Sequence, residues 1–269
     1  MKNLSFFLLI IIFAFFFSCN EKEKLPTNDR TEIDYSLIDS IENELLKAYS
    51  DSNFEALNNL FTGFCKQQKP NDTSLMESQL EKDIYKIFQL VFNPNKLEFL
   101  SDSLFKSTHY KNVDFYIIQS KIKYYLEDGI KKEIWYDSMP AIWNFKPILE
   151  LKNNRKYFYL TPEIDSAMNR FLDFQDYPIG EKNLMDPALP RMETRKRFEF
   201  INKFVKIKYG HWGGYWHLET HPEIEVIQFT QKRNYAYVSY RIQYTFWVAE
   251  VYKKNGKWII MKIKPNGAE

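Results

Sequence analysis

Apolar side chains recur at helical spacing in three stretches after the first thirty residues. The stripes are Leu37, Ile38, Ile41, Leu45, Leu46 and Tyr49, then Phe54, Leu57, Leu60, Phe61 and Phe64, then Leu80, Ile84, Ile87, Phe88 and Val91. Side chains three and four residues apart share one face of a helix, so these stripes predict three amphipathic helices, the first over about 34–50. Capping-box spacings predict that the second helix begins after Ser52 and the third after Ser74.

The end of the chain alternates apolar and polar residues with the period of a half-buried strand. We predict strands over 223–230, 236–248, 250–254 and 257–263, with a further strand over 113–126. The dipeptide Asn255-Gly256 predicts a type I′ hairpin turn between the last two strands. Between these regions, Thr161-Pro162 marks the start of another helix, and a final helix is predicted over about 191–208.

The first eighteen residues predict a targeting segment. Lys2 is followed by an apolar run from Leu4 to Phe17 that ends in Ser18-Cys19. As a helix this run would be about 21 Å long, shorter than the hydrocarbon core of about 30 Å. Its length and basic start are typical of a signal peptide. The alternative is an uncleaved anchor.

The Ser18-Cys19 junction resembles that of bacterial lipoproteins, whose signal peptide is cut just before a cysteine that carries the lipid. The resemblance implies that residues 1–18 are removed and that Cys19 becomes acylated, palmitate included, and holds the protein on a membrane. Residues 19–33 are polar and charged, which predicts a flexible tether. The charges after Cys19 also resemble the surface-export signal of lipoproteins in one Gram-negative lineage. We therefore expect an outer-membrane protein of the Gram-negative envelope, facing either the periplasm or the surface.

Composition excludes several classes of function. The 37 basic and 35 acidic residues give a formal net charge of +2, so the sequence gives no reason to expect a nucleic-acid partner. Two cysteines are too few for a disulfide scaffold. After lipidation of Cys19, Cys65 would be the sole free thiol, and its aromatic neighbours predict a small buried apolar side chain. The sequence contains no Gly-rich phosphate loop and no nucleophile elbow.

Residues 44–57 resemble the opening helices of NTF2-like domains, and residues 234–260, which end in Asn255-Gly256-Lys257-Trp258-Ile259-Ile260, are similar to their final strands. The resemblance implies an α+β fold, with helices packed on a strongly curved antiparallel sheet. Within a body over 34–269, the NTF2-like core would comprise the helices at 34–64 and the helix and terminal sheet at 191–265. Residues 66–190 would be a large insertion or a subdomain. The superfamily includes enzymes, binding modules and accessory domains, so the resemblance assigns no catalytic residue.

One segment, 210–222, concentrates candidate chemistry because it holds three of the four histidines and several glycines and aromatic residues. If residues 217–221 are extended, His217, Glu219 and His221 share one face and form a reasonable ligand set for zinc or iron, with His211 as a fourth ligand or a base. A second hypothesis places a metal-free pocket rim here, lined by Trp212, Tyr215, Trp216 and His217. A third treats the segment as ordinary packing.

The preferred interpretation is a non-enzymatic envelope lipoprotein that needs no cofactor and binds a small molecule, a glycan or a protein. One alternative is a lipid-anchored metal-dependent hydrolase, or another enzyme that uses the segment from His211 to His221. The other alternative is a purely structural or interaction protein.

Overall fold

A computed structural model describes residues 32–94, 110, 113–126, 139–151, 155–173, 191–209 and 216–268. The predicted signal peptide, Cys19 and nearly all of the tether lie outside the described residues. None of the helices in these ranges has the length and apolar character that a membrane span requires. The fold is mixed α+β, as the sequence predicts, with five described helices and a mixed multistranded sheet.

Five helices are described, and polar side chains cap the first turn of the first four. The helices are α1 (Tyr35–Ser50), α2 (Phe54–Gln67), α3 (Gln79–Val91), α4 (Pro162–Phe171) and α5 (Arg191–Ile201). The cap of α4 is Thr161, as predicted. The caps of α2 and α3 differ from the prediction, because Asn53 and Ser78 accept the first-turn N–H groups instead of Ser52 and Ser74. Helix α3 therefore starts four residues late, and α5 ends at Ile201 rather than 208.

Within the described ranges, ten strands form three sheets. They are β1 (Phe115–Gln119), β2 (Lys121–Leu126), β3 (Ala141–Trp143), β4 (Lys156–Leu160), β5 (Lys208–Tyr209), β6 (Trp216–His217), β7 (Glu223–Phe229), β8 (Tyr235–Ile242), β9 (Thr245–Lys254) and β10 (Lys257–Ala268). The main sheet has the order β10-β9-β8-β7-β2-β3, and only β2 and β7 run parallel in it. Strands β1 and β4 form a parallel pair, and β5 and β6 an antiparallel pair. Asn255 and Gly256 both have positive φ, which confirms the predicted type I′ turn.

Two predicted strands are each divided in the structure. The predicted strand 113–126 breaks at Ser120, whose hydroxyl donates to the Leu160 carbonyl, so that β1 pairs with β4 while β2 enters the main sheet. The predicted strand 236–248 turns back at residues 243–244. Gln243 has a φ of 58° there, and its N–H donates to His221. Both breaks depend on contacts between residues far apart in sequence, which a local pattern does not contain.

The apolar side chains form two clusters. The first lies between α3 and the main sheet, and includes Phe88, Ile122, Ile227, Val238 and Val251. The second joins α1, α2, α4 and α5 to β1 and β4. Cys65 packs at its edge, and burial raises the pKa of its thiol to about 11, so the thiol is an uncharged packing group at neutral pH.

The stretch predicted as an insertion or subdomain, 66–190, contributes to both clusters. Its strands β2 and β3 belong to the main sheet, its helix α3 belongs to the first cluster, and α4 belongs to the second. Alternate residues of β1 and β4 enter both clusters. The helices at 34–64 share their cluster with α4 and α5 rather than with the terminal sheet. The middle of the chain is therefore integral to the described fold.

Candidate functional site

The start of β7 carries two glutamates that an irregularity in the strand brings to the surface of a cavity. The pairing of β7 with β8 skips one residue between Ile224 and Val226, so Glu225 has no partner across the ladder. Such a bulge redirects a side chain and is frequent beside functional sites. Glu223, two residues earlier, lies directly opposite Arg241 of β8.

The side-chain amide of Gln119 holds this irregular segment in place. Its oxygen accepts the N–H of Ile224 at 2.8 Å, and its nitrogen donates to the carbonyls of Ile224 at 2.8 Å and Lys121 at 2.9 Å. One buried side chain therefore supplies hydrogen bonds that the β-ladder lacks at the point where β1, β2 and β7 meet.

His217 connects Glu223 to Arg241. The guanidinium of Arg241 lies 2.9 Å from Nε2 of His217, and an arginine can only donate, so Nε2 is the acceptor. The proton is then on Nδ1, which donates to the Glu223 carboxylate at 3.2 Å. Arg241 also lies 3.6 Å from the Glu225 carboxylate. Both ring nitrogens of His217 are thus occupied by protein groups.

His221 is almost fully buried behind this network, at 1% exposure. Its Nδ1 accepts the N–H of Gln243 at 2.9 Å, and the nearby Arg241 carbonyl, also an acceptor, cannot donate to it. Its own backbone N–H donates to the Tyr110 hydroxyl at 2.8 Å. Burial lowers the pKa of His221 to about 3, so its imidazole is neutral at physiological pH.

The three glutamates of this region, Glu219, Glu223 and Glu225, are called the carboxylate cluster below. Burial raises the pKa of Glu219 well above its ordinary value, and the charges of Glu223 and Asp165 raise it further. Burial also acts on Glu223, but the hydrogen bond from His217 and the charge of Arg241 outweigh it and lower that pKa. Burial raises the pKa of Glu225 against the opposing effect of Arg241. The cluster therefore contains carboxyl groups of different proton affinity side by side.

The carboxylate cluster lines a cavity of about 870 Å³ between the main sheet and the first turn of α4. This volume is within the usual range of small-molecule sites. Gln119, Trp143 and Thr161 contribute to its wall. Its ionisable lining residues are Lys121, Lys123, Lys146, Glu163, Asp165, Glu219, Glu223 and Glu225. Trp143 lies opposite Lys121 on β3, and the Lys121 ammonium is 3.9 Å from its ring centroid.

Three of the four proposed metal ligands, His217, Glu219 and His221, lie in the described residues, and they are not grouped around a common point. Residues 218–222 are bent instead of extended, and the rings of His217 and His221 have centroids 6.0 Å apart. Within the described ranges no group of three or more His, Cys, Asp and Glu side chains is placed to hold a metal ion. Glu219 lines the cavity, whereas His211 lies outside the described residues.

The proposed aromatic rim is described only in part. Trp212 and Tyr215 lie outside the described residues. Trp216 stacks on Phe198, with ring centroids 5.1 Å apart, and contacts the ring edge of Tyr209. It packs against the second apolar cluster and does not line the cavity. Among the described candidate residues of the segment 210–222, Glu219 therefore lines the cavity. His217 does not line it, but it holds the carboxylate of Glu223, which does.

Most of the cavity residues were missed because the sequence does not place them near one another. One signal was present: polar and apolar residues alternate at the beginning of β2 and of β7, with Lys121 and Lys123 in the first strand and Glu223 and Glu225 in the second. Charged residues at alternate positions of two strands predict one charged sheet face once the strands are known to be neighbours. That neighbourhood is a long-range parallel pairing.

Comparison with known proteins adds no family. The chain matches no protein-family model, and it has no significant match among curated proteins or among solved structures.

Proposed function

We propose that the protein is a lipid-anchored envelope protein that binds a small polar molecule in the cavity beside the carboxylate cluster. The observation that carries the binding function is the cavity itself. It is of ligand size, its wall contains charged groups of both signs, and Gln119 and the His217–Arg241 contact hold that wall in a fixed arrangement. Sites that select small molecules combine an enclosed volume with a few fixed polar groups.

The anchor rests on Lys2, the short apolar run and the Ser18-Cys19 junction. Intact mass spectrometry of the membrane fraction should detect a chain that begins at an acylated Cys19. The variant Cys19→Ala should remain unprocessed and lose the lipid. Normal processing and unchanged membrane attachment of that variant would refute the lipoprotein assignment.

Binding in the cavity is tested with the full-length protein in detergent and a library of polar fragments that includes sugars, amino acids and nucleosides. Saturation-transfer NMR identifies the fragments that bind. Hydrogen exchange in the presence of a binder should then show slower exchange of backbone amides in residues 119–123 and 219–225, because a ligand stabilises the segments it contacts. Absence of binders, or protection confined to other segments, would refute the proposal.

We also propose the finer architecture that the sequence resemblance implies, a cone formed by an NTF2-like sheet around the ligand. Two features support it: α3 packs across one face of a six-stranded sheet, and the antiparallel β7–β10 meander ends that sheet. An experimental structure in which the sheet curves around the cavity would support the cone, and a flat sheet would exclude it.

Acid–base catalysis is a second candidate, and one observation favours it. The neighbouring carboxyl groups of Glu219 and Glu223 have pKa values shifted in opposite directions, which is the arrangement that separates a general acid from a general base. Assays with chromogenic glycosides and esters test it. Turnover that is lost in both Glu219→Gln and Glu223→Gln would support catalysis, whereas no turnover of any substrate class leaves binding as the function.

A further inference from the structure

Glu219 faces the cavity without a cationic partner. The charged groups that act on its carboxylate are other acids, Glu223 and Asp165, and its hydrogen bonds come from the backbone of Leu218 and Glu219. No ion pair joins Glu219 to a basic side chain of the described residues. Its backbone is nevertheless fixed. The adjacent Thr220 exchanges two hydrogen bonds with Ile117 of β1, at 2.7 and 2.9 Å. A half-buried carboxylate on a rigid backbone, beside two further carboxylates, favours a cationic group of a ligand.

Lys146 presents the opposite charge to the same cavity, also without an ion-pair partner in the described chain. Its backbone is fixed as well. The Lys146 carbonyl accepts the N–H of Asn71 at 2.9 Å, and the preceding residue, Phe145, donates its N–H to the Ser120 carbonyl at 2.7 Å. The half-buried ammonium of Lys146 therefore favours an acidic group of a ligand.

We propose that the cavity binds a zwitterionic small molecule, whose amino or guanidino group pairs with Glu219 and whose acidic group pairs with Lys146. This rests on the proposed binding function and names the class of ligand. The two residues do not pair with each other, although both line one cavity. A ligand that carries both charges neutralises both residues at once, whereas a neutral sugar neutralises neither. A singly charged ligand leaves one of the two charges unpaired.

The experiment uses ω-amino acids of increasing length, from 3-aminopropanoate to 8-aminooctanoate, together with short peptides of two to four residues. Each zwitterion is matched by two controls, an alkylamine and an alkylcarboxylate of equal length. Titration calorimetry of the full-length protein in detergent measures each affinity. We expect one range of charge separation to bind at least about tenfold more tightly than both singly charged controls.

Two variants assign the ends of the ligand. Glu219→Gln should remove the preference for the zwitterion over the carboxylate control, and Lys146→Gln should remove its preference over the amine control. The matched surface variants Glu44→Gln and Lys86→Gln, on exposed faces of α1 and α3, should bind like the wild type. Thermal melts of all four variants show that each protein is folded at the temperature of the titration.

The outcomes separate this inference from the proposed function. If neutral or singly charged fragments bind in the cavity and no zwitterion binds more tightly, the zwitterion inference is wrong and cavity binding stands. If no fragment binds in the cavity, both are wrong. If a zwitterion binds equally well to Glu219→Gln, Lys146→Gln and the wild type, the assignment of these two residues is wrong.

Discussion

The two ends of the main sheet are built differently. At one end, β8, β9 and β10 follow one another through short turns and pair antiparallel. At the other end, β7 pairs parallel with β2, a strand far away in sequence, and it does so beside a bulge at Glu225. The Asn255-Gly256 turn between β9 and β10 is set locally. The parallel pairing of β2 with β7, by contrast, depends on the Gln119 amide and the charged network around His217. The cavity lies at the second end.

The two ends also differ in whether their buried carboxylates have a cationic partner. Near β10, the buried Asp83 of α3 is paired with Lys253 of β9 at 2.6 Å, and its other oxygen accepts the Gln79 amide at 3.0 Å. Near β2, Glu219 lies among other acids. A buried charge with a partner avoids the penalty of being left unpaired, whereas an unpaired charge in a cavity lowers stability and is retained where it binds something.

Of the variants that test this difference between the two ends, we expect Gln119→Leu to lose the most stability. It removes the partners of the Ile224 N–H and carbonyl, two buried backbone groups, and should lower the free energy of unfolding by about 3 kcal/mol. Urea denaturation measures this loss. Gln68→Leu is the control, because the Gln68 amide makes the same pair of bonds to Tyr159 outside the cavity lining. Both variants should lose stability, but Gln119→Leu alone should also weaken fragment binding.

A smaller loss is expected from Asp83→Ala at the other end of the sheet. The change leaves the Lys253 ammonium without its carboxylate, and because Lys253 is partly exposed, the free energy of unfolding should fall by about 2 kcal/mol. Fragment affinity should be unchanged once the melting temperature is taken into account. A loss of affinity comparable to that of Gln119→Leu would show that the two ends do not differ in function.

The smallest effect, and one of opposite sign, is expected from Glu219→Gln. Burial and neighbouring acids raise the pKa of Glu219, so folding favours its protonated form. The stability cost is absent below the unfolded pKa of about 4.5, and it grows as pH rises through the folded value. Glu219→Gln should therefore raise the melting temperature at pH 7 and lose this advantage near pH 4.

The control for this prediction is Glu44→Gln, whose carboxyl group is exposed on α1. It should leave the melting temperature unchanged across the same pH range. A destabilised Glu219→Gln protein at pH 7 would indicate that the ionised carboxylate of Glu219 contributes to the fold.

The difference between the two ends also explains which parts of the structure were predictable. The Asn255-Gly256 turn and the Thr161 cap are local, because a few neighbouring residues determine each backbone conformation. The turn at Gln243 contains no glycine, asparagine or aspartate and forms around a contact with His221, so the alternating pattern continued through it. Local patterns therefore predicted element types better than their ends.

The candidate site shows the same limit. The concentration of histidine and aromatic residues identifies 210–222 as a candidate segment. This segment lies beside the cavity and contains Glu219, which lines it. The segment contacts Arg241 on β8 through His217 and Ile117 on β1 through Thr220, and it shares the cavity lining with Lys146. Only the tertiary fold brings these residues together. Composition favours these histidines as metal ligands, whereas in the structure His217 contacts Glu223 and His221 accepts the N–H of Gln243, so both position other residues.

Proton release on binding reports whether the cationic group of a ligand pairs with Glu219 in the cavity. Pairing with a cation must lower the raised pKa of Glu219, so the best-binding ω-amino acid should displace a proton at pH values above the ordinary glutamate pKa of about 4.5. Titration calorimetry in buffers of different ionisation enthalpy counts the protons released. We predict release by the wild type and none by Glu219→Gln; no release by the wild type, or equal release by both proteins, would contradict the pairing of Glu219 with a cation.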